Sequence, residues 1–496
     1  MLDDSEDTMV PKPLLILTLL GLVATGCSSS GGAANGTAGN LQSALPETNP
    51  ATGNPVSKYI SHVVVIIQEN RSFENFFAGY PGANAPTFGC VEAHDNGARS
   101  IPRLARQSSS GCPSGDTQVP LEPITFESHI DLKHDWYSSI ADWDQGNMDG
   151  FYQFGEKNGQ YEAYSYVKQS QLVPYWDMAE QYVLADAMFP TEFGGSFTGH
   201  LTLVAGTDDL KPPNQAEVDF PNGEYDDCDS PNGTISSYIT PNKHSPYLPG
   251  VRHPWAGPYP CFTQWNTMAE DLDTNNVSWK YYATKLLHAG MWEPFEAMQY
   301  VRKGPDWYKD IIAPQTKILT DPGSGNLASV SWVSPSKPDS DHPGERSDLG
   351  PSWVASVVNA VGESSYWPHT AIIVVWDDWG GWYDNAAPKI LDYRGLGIRV
   401  PCLIISPYAR ETSSSQPGYI SHTQYEYGSI LKFIEEAFNL PPIGSTSAGY
   451  TDTRATSIDD AFDFTQQPRL FTAIPSKYSR SRFLHEPPSD VPVDTQ

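Results

Sequence analysis

The chain has 496 residues, a length that suits either about three domains or one large α/β domain with insertions. Lys and Arg number 30 against 59 Asp and Glu, a net charge of −29, which argues against a nucleic-acid partner because phosphate backbones attract a positive surface. Hydrophobic residues make up 39% and aromatics 12%, which excludes a wholly disordered chain, and a lone apolar run excludes a polytopic membrane protein.

That run covers residues 14–24, too short to cross a hydrocarbon core, and leads into Thr25-Gly26-Cys27-Ser28. A short apolar stretch ending in small residues reads as a secretory signal. The cysteine that follows resembles the bacterial lipoprotein box, with Cys27 as a lipidated new N-terminus. On this reading the protein is exported, periplasmic or cell-surface, and lipid-anchored to a membrane. Ala24 stands where Leu is commoner, and Asp3-Asp4-Ser5-Glu6-Asp7 lacks the positive charge that opens a signal; Met9 followed by Lys12 makes a better start. The bland alternative is an apolar leader of no consequence. Residues 28–57, made of Ser, Gly, Ala, Asn, Thr and Pro, read as a flexible tether. A folded body follows over 58–485, then a loose tail over 486–496.

Strand-length apolar runs alternate with helical patterns along the body, which predicts a mainly parallel sheet covered by helices. The first strand, 62–68, ends in Glu69-Asn70-Arg71-Ser72-Phe73. Ligands of parallel sheets sit beyond the carboxyl ends of strands, where a carboxylate and an amide can hold a cation. The simpler reading is that Glu69 caps a turn. Residues 80–130 and 207–275, rich in Pro, Gly, Asn and Asp, read as loop-rich insertions. In an exported chain their cysteines suggest disulfides; Cys90–Cys112 and Cys228–Cys261 would each close such a segment. The acidic knot 224–229 lacks the spacing of a calcium-binding hand loop and reads as a solvated turn.

His134 lies in Leu132-Lys133-His134-Asp135-Trp136, where a single histidine is more often structural than catalytic. The run Phe193-Gly194-Gly195-Ser196 precedes an apolar helical stretch. It predicts an exposed hydroxyl at a helix start, where anions are favoured, although most such triplets are turns with Ser as the cap. Asp341-His342-Pro343 lies in a Pro/Gly/Asp-rich loop, and 352–361 reads as a helix after Pro351. The strand 371–376 ends in Asp377-Asp378-Trp379-Gly380-Gly381. Two adjacent carboxylates there are costly unless a cation neutralises them; the alternative is an acidic surface loop. A strand at 401–405 holds Cys402, read as a buried free thiol. A helix at 424–438 presents Ile430, Leu431, Ile434 and Phe438 inward and Lys432, Glu435 and Glu436 outward. His288 and His422 are weaker catalytic candidates.

These runs, in this order, resemble the bacterial phosphoesterase family that includes phospholipase C and acid phosphatase A, within the alkaline-phosphatase-like superfamily. The matching stretches are 62–73, 147–151, 175–206, 340–343, 373–384, 397–410 and 421–438. The resemblance implies a three-layer α/β/α sandwich with a mainly parallel central sheet and long loop-rich insertions. It implies hydrolysis of a phosphate-ester substrate at a metal-bound hydroxyl. Carried over by position, Glu69, Asn70, Asp377, Asp378 and Ser196 would hold one or more divalent metal ions, with calcium, manganese, iron and zinc all open. Ser196 would be the nucleophile, and His134 and His342 would contact the phosphate or leaving group. The commoner phospholipase pattern, Asp-Glu-His-Gly-Gly then Tyr-Asp-His, is here Asp377-Asp378-Trp379-Gly380-Gly381 then Tyr383-Asp384-Asn385. The Pro-Asn-Arg that often follows the nucleophile is Thr198-Gly199-His200. The loss of two histidines favours an acid-phosphatase-like phosphomonoesterase over a phospholipase C. A third reading, a non-catalytic surface lipoprotein binding glycan or protein through exposed aromatics, requires the candidate residues to be scattered.

Overall fold

The computed structural model describes residues 55–92, 111–113, 115–157, 160–211, 215–222, 225–245, 248–413 and 418–493. The signal, Cys27 and nearly all of the tether lie outside the described residues.

The longest β-branched and aliphatic runs form the strands. β1 (His62–Gln68), β2 (Val183–Phe189), β3 (Trp279–Tyr282), β4 (Ile311–Ile312), β5 (Val330–Val333), β6 (Thr370–Trp376), β7 (Val400–Ile405), β8 (Tyr419–Ser421) and β9 (Tyr425–Glu426) build one sheet. Its order is β4-β3-β5-β1-β6-β7-β2-β8, with β9 also on β2. All pairings are parallel except those of β7, which runs antiparallel to both β6 and β2. Every residue of β6 is buried, so both faces of the sheet are covered, as the unbroken apolar run requires. After two short helices, α1 (Phe73–Phe77) and α2 (Trp136–Trp143), α3 (Val173–Gln181) and α5 (Gly350–Gly362) pack together, as do α4 (Ser196–Ala205) and α6 (Tyr427–Phe438). The expected mainly parallel α/β architecture is what the chain adopts.

Parallel register decides where the chemistry collects. Gln68 pairs with Trp376, so Glu69-Asn70 and Asp377-Asp378 leave the sheet side by side. β2 and β5 run the same way and deliver Ser196 and His342 to that carboxyl edge. Gly199 of α4 allows close seating: a Cβ there would stand 2.4 Å from Asp377 O. A helical Gly→Ala change ordinarily gains up to about 1 kcal/mol. Gly199→Ala is instead expected to lose about 1–3 kcal/mol, because the helix must lift off rigid backbone. Urea unfolding checks this; a stabilised variant would show that α4 is not seated so tightly.

Several expectations need correction. The last long helix starts at Tyr427 rather than 424, because Tyr425–Glu426 pairs with β2. Glu435 does not face out; it is buried and accepts from Ile443 N at 3.0 Å, satisfying the chain just past the helix. The insertion at 207–275 contains a three-stranded antiparallel sheet, Glu217–Pro221, Ser236–Thr240 and Val251–His253. The acidic knot is not a solvated turn. Asp227 is buried near His288, and Asp229 pairs with Arg302 and with Lys303 at 2.6 Å. Nor is the tail loose throughout, since Val493 is buried against Gly290. Both disulfides, Cys90–Cys112 and Cys228–Cys261, are formed, and Cys402 is a buried free thiol.

Candidate active site

The loops at the carboxyl edge bring the candidate residues together. The Asn70 backbone N–H donates to Asp377 Oδ1 at 2.9 Å, locking the two strand ends. Asn70 has φ of 56°, a left-handed conformation that turns its side chain inward. Its Nδ2 lies 2.8 Å from His134 Nε2, 3.3 Å from Ser196 Oγ and 3.3 Å from Asp378 Oδ2. Ser196 Oγ in turn donates to Asp378 Oδ2 at 3.1 Å. The second carboxylate oxygen of Asp378 accepts from Gly380 N at 2.7 Å, so its orientation is set from both sides. Gly380 cannot carry a side chain here, since a Cβ would fall 2.1 Å from Asn70 O.

The histidines enter from one side. His134 Nδ1 bonds to Leu132 O at 2.7 Å, which turns Nε2 towards Asn70. The His342 ring lies 6.1 Å from the His134 ring, and its Nδ1 bonds to Pro343 O at 2.6 Å. His288 and His422 lie elsewhere, stacked on Tyr225 and bonded to Asp186 respectively.

A residue passed over as a mere departure from the family pattern is part of the cluster. His200, one helical turn after Ser196, places Nε2 3.2 Å from Glu69 Oε1 and 3.8 Å from Asp377 Oδ2. The signal was legible: residues i and i+4 share one helix face. Glu69, His200 and Asp377 offer ligand atoms within 4.8 Å of one another.

The electrostatics ask for a positive charge. Burial, then the neighbouring Glu69, raises the Asp377 carboxyl well above its ordinary range. Burial, then Asp377, pushes Asp378 up to about 7. Burial lowers His200 to about 4, so it stays neutral near pH 7 and cannot neutralise the carboxylates. Asn70 Oδ1 and His200 Nδ1 are buried with no hydrogen-bond partner among the described residues. An unpaired amide oxygen beside crowded carboxylates fits a divalent cation.

One expectation fails. The Ser196 side chain is buried rather than exposed, and the 132–134 and 379–381 segments pack against each other. Gly381 lets them touch: a Cβ there would meet Leu132 Cβ at 2.6 Å. A cavity of about 500 Å³ nevertheless reaches Gly195 and Phe197, on either side of Ser196, and is lined also by Lys133, Phe154, Phe220 and Arg252.

The profile of the Phosphoesterase family matches residues 60–441, most of the chain and every element just described. The chain belongs to this family. It is a hydrolase acting on phosphate esters. Phospholipase C A of Mycobacterium tuberculosis is 25% identical over 449 residues, covering 82% of this chain and 78% of that protein. Non-hemolytic phospholipase C of Pseudomonas aeruginosa is 24% identical, covering 77% of this chain and 54% of that protein. Among solved structures, a protein in the alkaline phosphatase superfamily from Vibrio parahaemolyticus aligns with a TM-score of 0.32 and 10% identity, over 58% of this chain and 65% of that one.

Buried carboxyls in the site and beyond it carry a stability prediction. Burial pushes Asp339, Asp341 and Asp378 up to about 7 each, against roughly 4 in an unfolded chain. Between those values the folded state binds more protons than the unfolded one, so stability falls as pH rises. Chelated protein is expected to melt at a higher temperature at pH 5 than at pH 7.5. A melting temperature that climbs over that interval would contradict these assignments.

Proposed function

We propose that this phosphoesterase hydrolyses phosphomonoesters through a Ser196 nucleophile, in the manner of an acid phosphatase. The observation that carries the reading is the Ser196 hydroxyl, bonded to Asp378 Oδ2 and within 3.3 Å of the Asn70 amide, at the start of a helix. Glu69, Asn70, Asp377 and Asp378, with Ser196 itself, would hold a divalent cation. When bound, that ion would lower the pKa of the serine hydroxyl and neutralise phosphoryl charge.

The protein's own groups do the rest. Asp378 accepts the hydroxyl hydrogen bond, aims the oxygen lone pair and takes the hydroxyl proton as that oxygen attacks. Attack on phosphorus forms the Ser196 O–P bond as the ester P–O bond breaks, in line. The amide of Asn70 and the N-terminus of α4 hold the phosphoryl oxygens. His342 or His134, protonated, gives its proton to the departing alcohol oxygen, a contribution of about 10²–10⁴-fold. Water then hydrolyses the phosphoserine and restores the hydroxyl.

One feature of the sequence favours a monoester. Trp379 and Asn385 replace the two histidines of the commoner phospholipase pattern. Lys133 and Arg252 line the cavity beside Ser196, but each is paired with an acid of the same lining, Asp135 and Asp219, so the charge of the cavity does not distinguish a monoester from a diester. The names of the relatives favour a second reading, phospholipase C, and Phe154, Phe197 and Phe220 in the cavity are compatible with it. A metal-supplemented panel separates them. 4-Nitrophenyl phosphate should be turned over at least about tenfold faster than phosphatidylcholine, a gap of about 1.4 kcal/mol in barrier. The reverse order would replace the monoesterase reading by the phospholipase one.

The same reading keeps the protein outside the cytoplasm, because two disulfides suit an oxidising compartment. A lipid on Cys27 would hold it at a membrane. Among the described residues no helix is long and apolar enough to cross one.

A further inference from the structure

Two histidines are available to protonate the departing alcohol, and their hydrogen bonds tell them apart. His134 Nδ1 lies 2.7 Å from Leu132 O, a carbonyl that only accepts, so Nδ1 carries the ring hydrogen. Its Nε2 lies 2.8 Å from Asn70 Nδ2. That amide nitrogen also faces Ser196 Oγ and Asp378 Oδ2, each at 3.3 Å, which identifies it as the donor end of Asn70. His134 Nε2 therefore accepts. The ring is neutral, its one hydrogen is given to Leu132, and its task is to hold Asn70.

His342 is held differently. Its Nδ1 donates to Pro343 O at 2.6 Å, so the proton for an alcohol is the one on Nε2. Its ring stands 6.1 Å from that of His134 and 6.0 Å from that of Trp292. What fixes it is the residue before it. Asp341 is fully buried and tied at four points. Its N–H donates to Gln68 Oε1 at 2.9 Å, and its carbonyl accepts from Arg71 Nε at 2.7 Å. Its Oδ2 accepts from the Tyr175 hydroxyl at 2.6 Å and from Trp376 Nε1 at 3.1 Å. Gln68 and Trp376 pair at the ends of β1 and β6, and Tyr175 lies on α3. On its other side the carboxylate packs against the start of α5, where a Cβ on Gly350 would fall 2.1 Å from Oδ1. Loops are ordinarily the mobile part of a fold; this one is pinned to the strand ends that carry Asn70 and Asp378.

We propose that Asp341 is a positioning residue, which locks His342 to those strand ends so that His342, and not His134, protonates the departing alcohol. The inference rests on the attack by Ser196 proposed above. As the ester P–O bond breaks, the Nε2–H bond of His342 breaks with it, and the proton passes to the alcohol oxygen. His342 is left neutral. It takes a proton back from the water that hydrolyses the phosphoserine, while the Ser196 oxygen recovers its own from Asp378. Asp341 exchanges no proton; it acts through where it holds its neighbour.

The test exploits how much each leaving group needs that proton. The full chain, with saturating divalent cation, is assayed on ethyl phosphate, a poor leaving group, and on 4-nitrophenyl phosphate, whose anion leaves unaided. Asp341→Ala should slow the ethyl ester by about 100-fold or more and the 4-nitrophenyl ester by less than about tenfold. Asp341→Asn keeps an oxygen for Tyr175 and Trp376 and should recover most of the ethyl phosphate rate. His342→Ala should show the same split, whereas His134→Ala, which loosens Asn70, should slow both esters alike. Should Asp341→Ala fail to fold, Tyr175→Phe takes its place, with a split of about tenfold for the one hydrogen bond removed. Parallel losses on the two esters, no recovery in Asp341→Asn, or a split in His134→Ala instead of His342→Ala overturns the proposal. Ser196→Ala serves as the control: activity surviving in it removes the nucleophile, while the split in the other variants still decides on Asp341. Should neither monoester be turned over, the methyl diesters with the same two leaving groups carry the comparison, so the two failures are told apart.

Discussion

Ser196→Ala is expected to lower kcat on a phosphomonoester by on the order of 10⁴- to 10⁶-fold, the loss typical of removing an enzyme nucleophile. The hydroxyl is the atom that bonds to phosphorus, and no other serine or threonine hydroxyl is bonded to Asp378 among the described residues. The fold should survive. The variant gives up one hydrogen bond to Asp378 at 3.1 Å and one from Asn70 at 3.3 Å, a net effect of about 1–3 kcal/mol on stability. Asp378 still holds Gly380 N, and Asn70 N still holds Asp377, so the two strand ends stay joined. Steady-state kinetics and a circular-dichroism melt check both halves. A folded variant within tenfold of wild-type activity would remove Ser196 from the reaction and leave Asp378 to activate water directly.

Asp377→Asn should produce opposite effects with and without metal. Asp377 is fully buried against Glu69, and burial and that neighbour both disfavour its charged form. In chelator the substitution removes a buried like-charge contact, so the variant should melt higher than wild type. With excess divalent cation the order should reverse, because only wild type gains the binding free energy of the ion. Activity should fall by on the order of 10³-fold, since several kcal/mol of metal assistance at about 1.4 kcal/mol per decade is withdrawn. Melting temperatures of both proteins, in chelator and in saturating cation, give the four numbers needed. A variant that melts lower than wild type in chelator, or gains as much as wild type from the ion, would rule out Asp377 as a ligand. The comparison also distinguishes the ligand role from simple packing, which would shift both conditions alike.

Much of this architecture could be read before any coordinates. The runs at 62–68, 371–376 and 401–405 are too apolar and too β-branched for anything but buried strands, and they formed within a residue of the expected limits. The two cysteine pairs joined as expected. Glu69, Asn70, Asp377 and Asp378 stood out because polar residues directly after such strands occupy the edge where parallel sheets bind ligands. Errors arose where a side chain's surroundings lie far away in sequence. Glu435 sits on the polar side of its helix by periodicity, yet the chain at Ile443 folds back over it. Asp227 reads as solvated until Cys228–Cys261 and His288 close around it.

The central site shows the same division. Local chemistry in the chain marked the strands, the acidic strand ends and the Gly-Gly-Ser helix start, because hydrophobic period and backbone preference act over a few neighbours. Parallel register between β1 and β6, separated by roughly 300 residues, set Asn70 against Asp377 at 2.9 Å. Packing of α4 on that edge brought His200 to Glu69 and buried the Ser196 side chain. Long-range packing also buried Glu192, Asp208 and Glu217 together, from positions that share no motif. Burial and mutual repulsion are properties of assembled neighbours, so they came into being with the folded sheet.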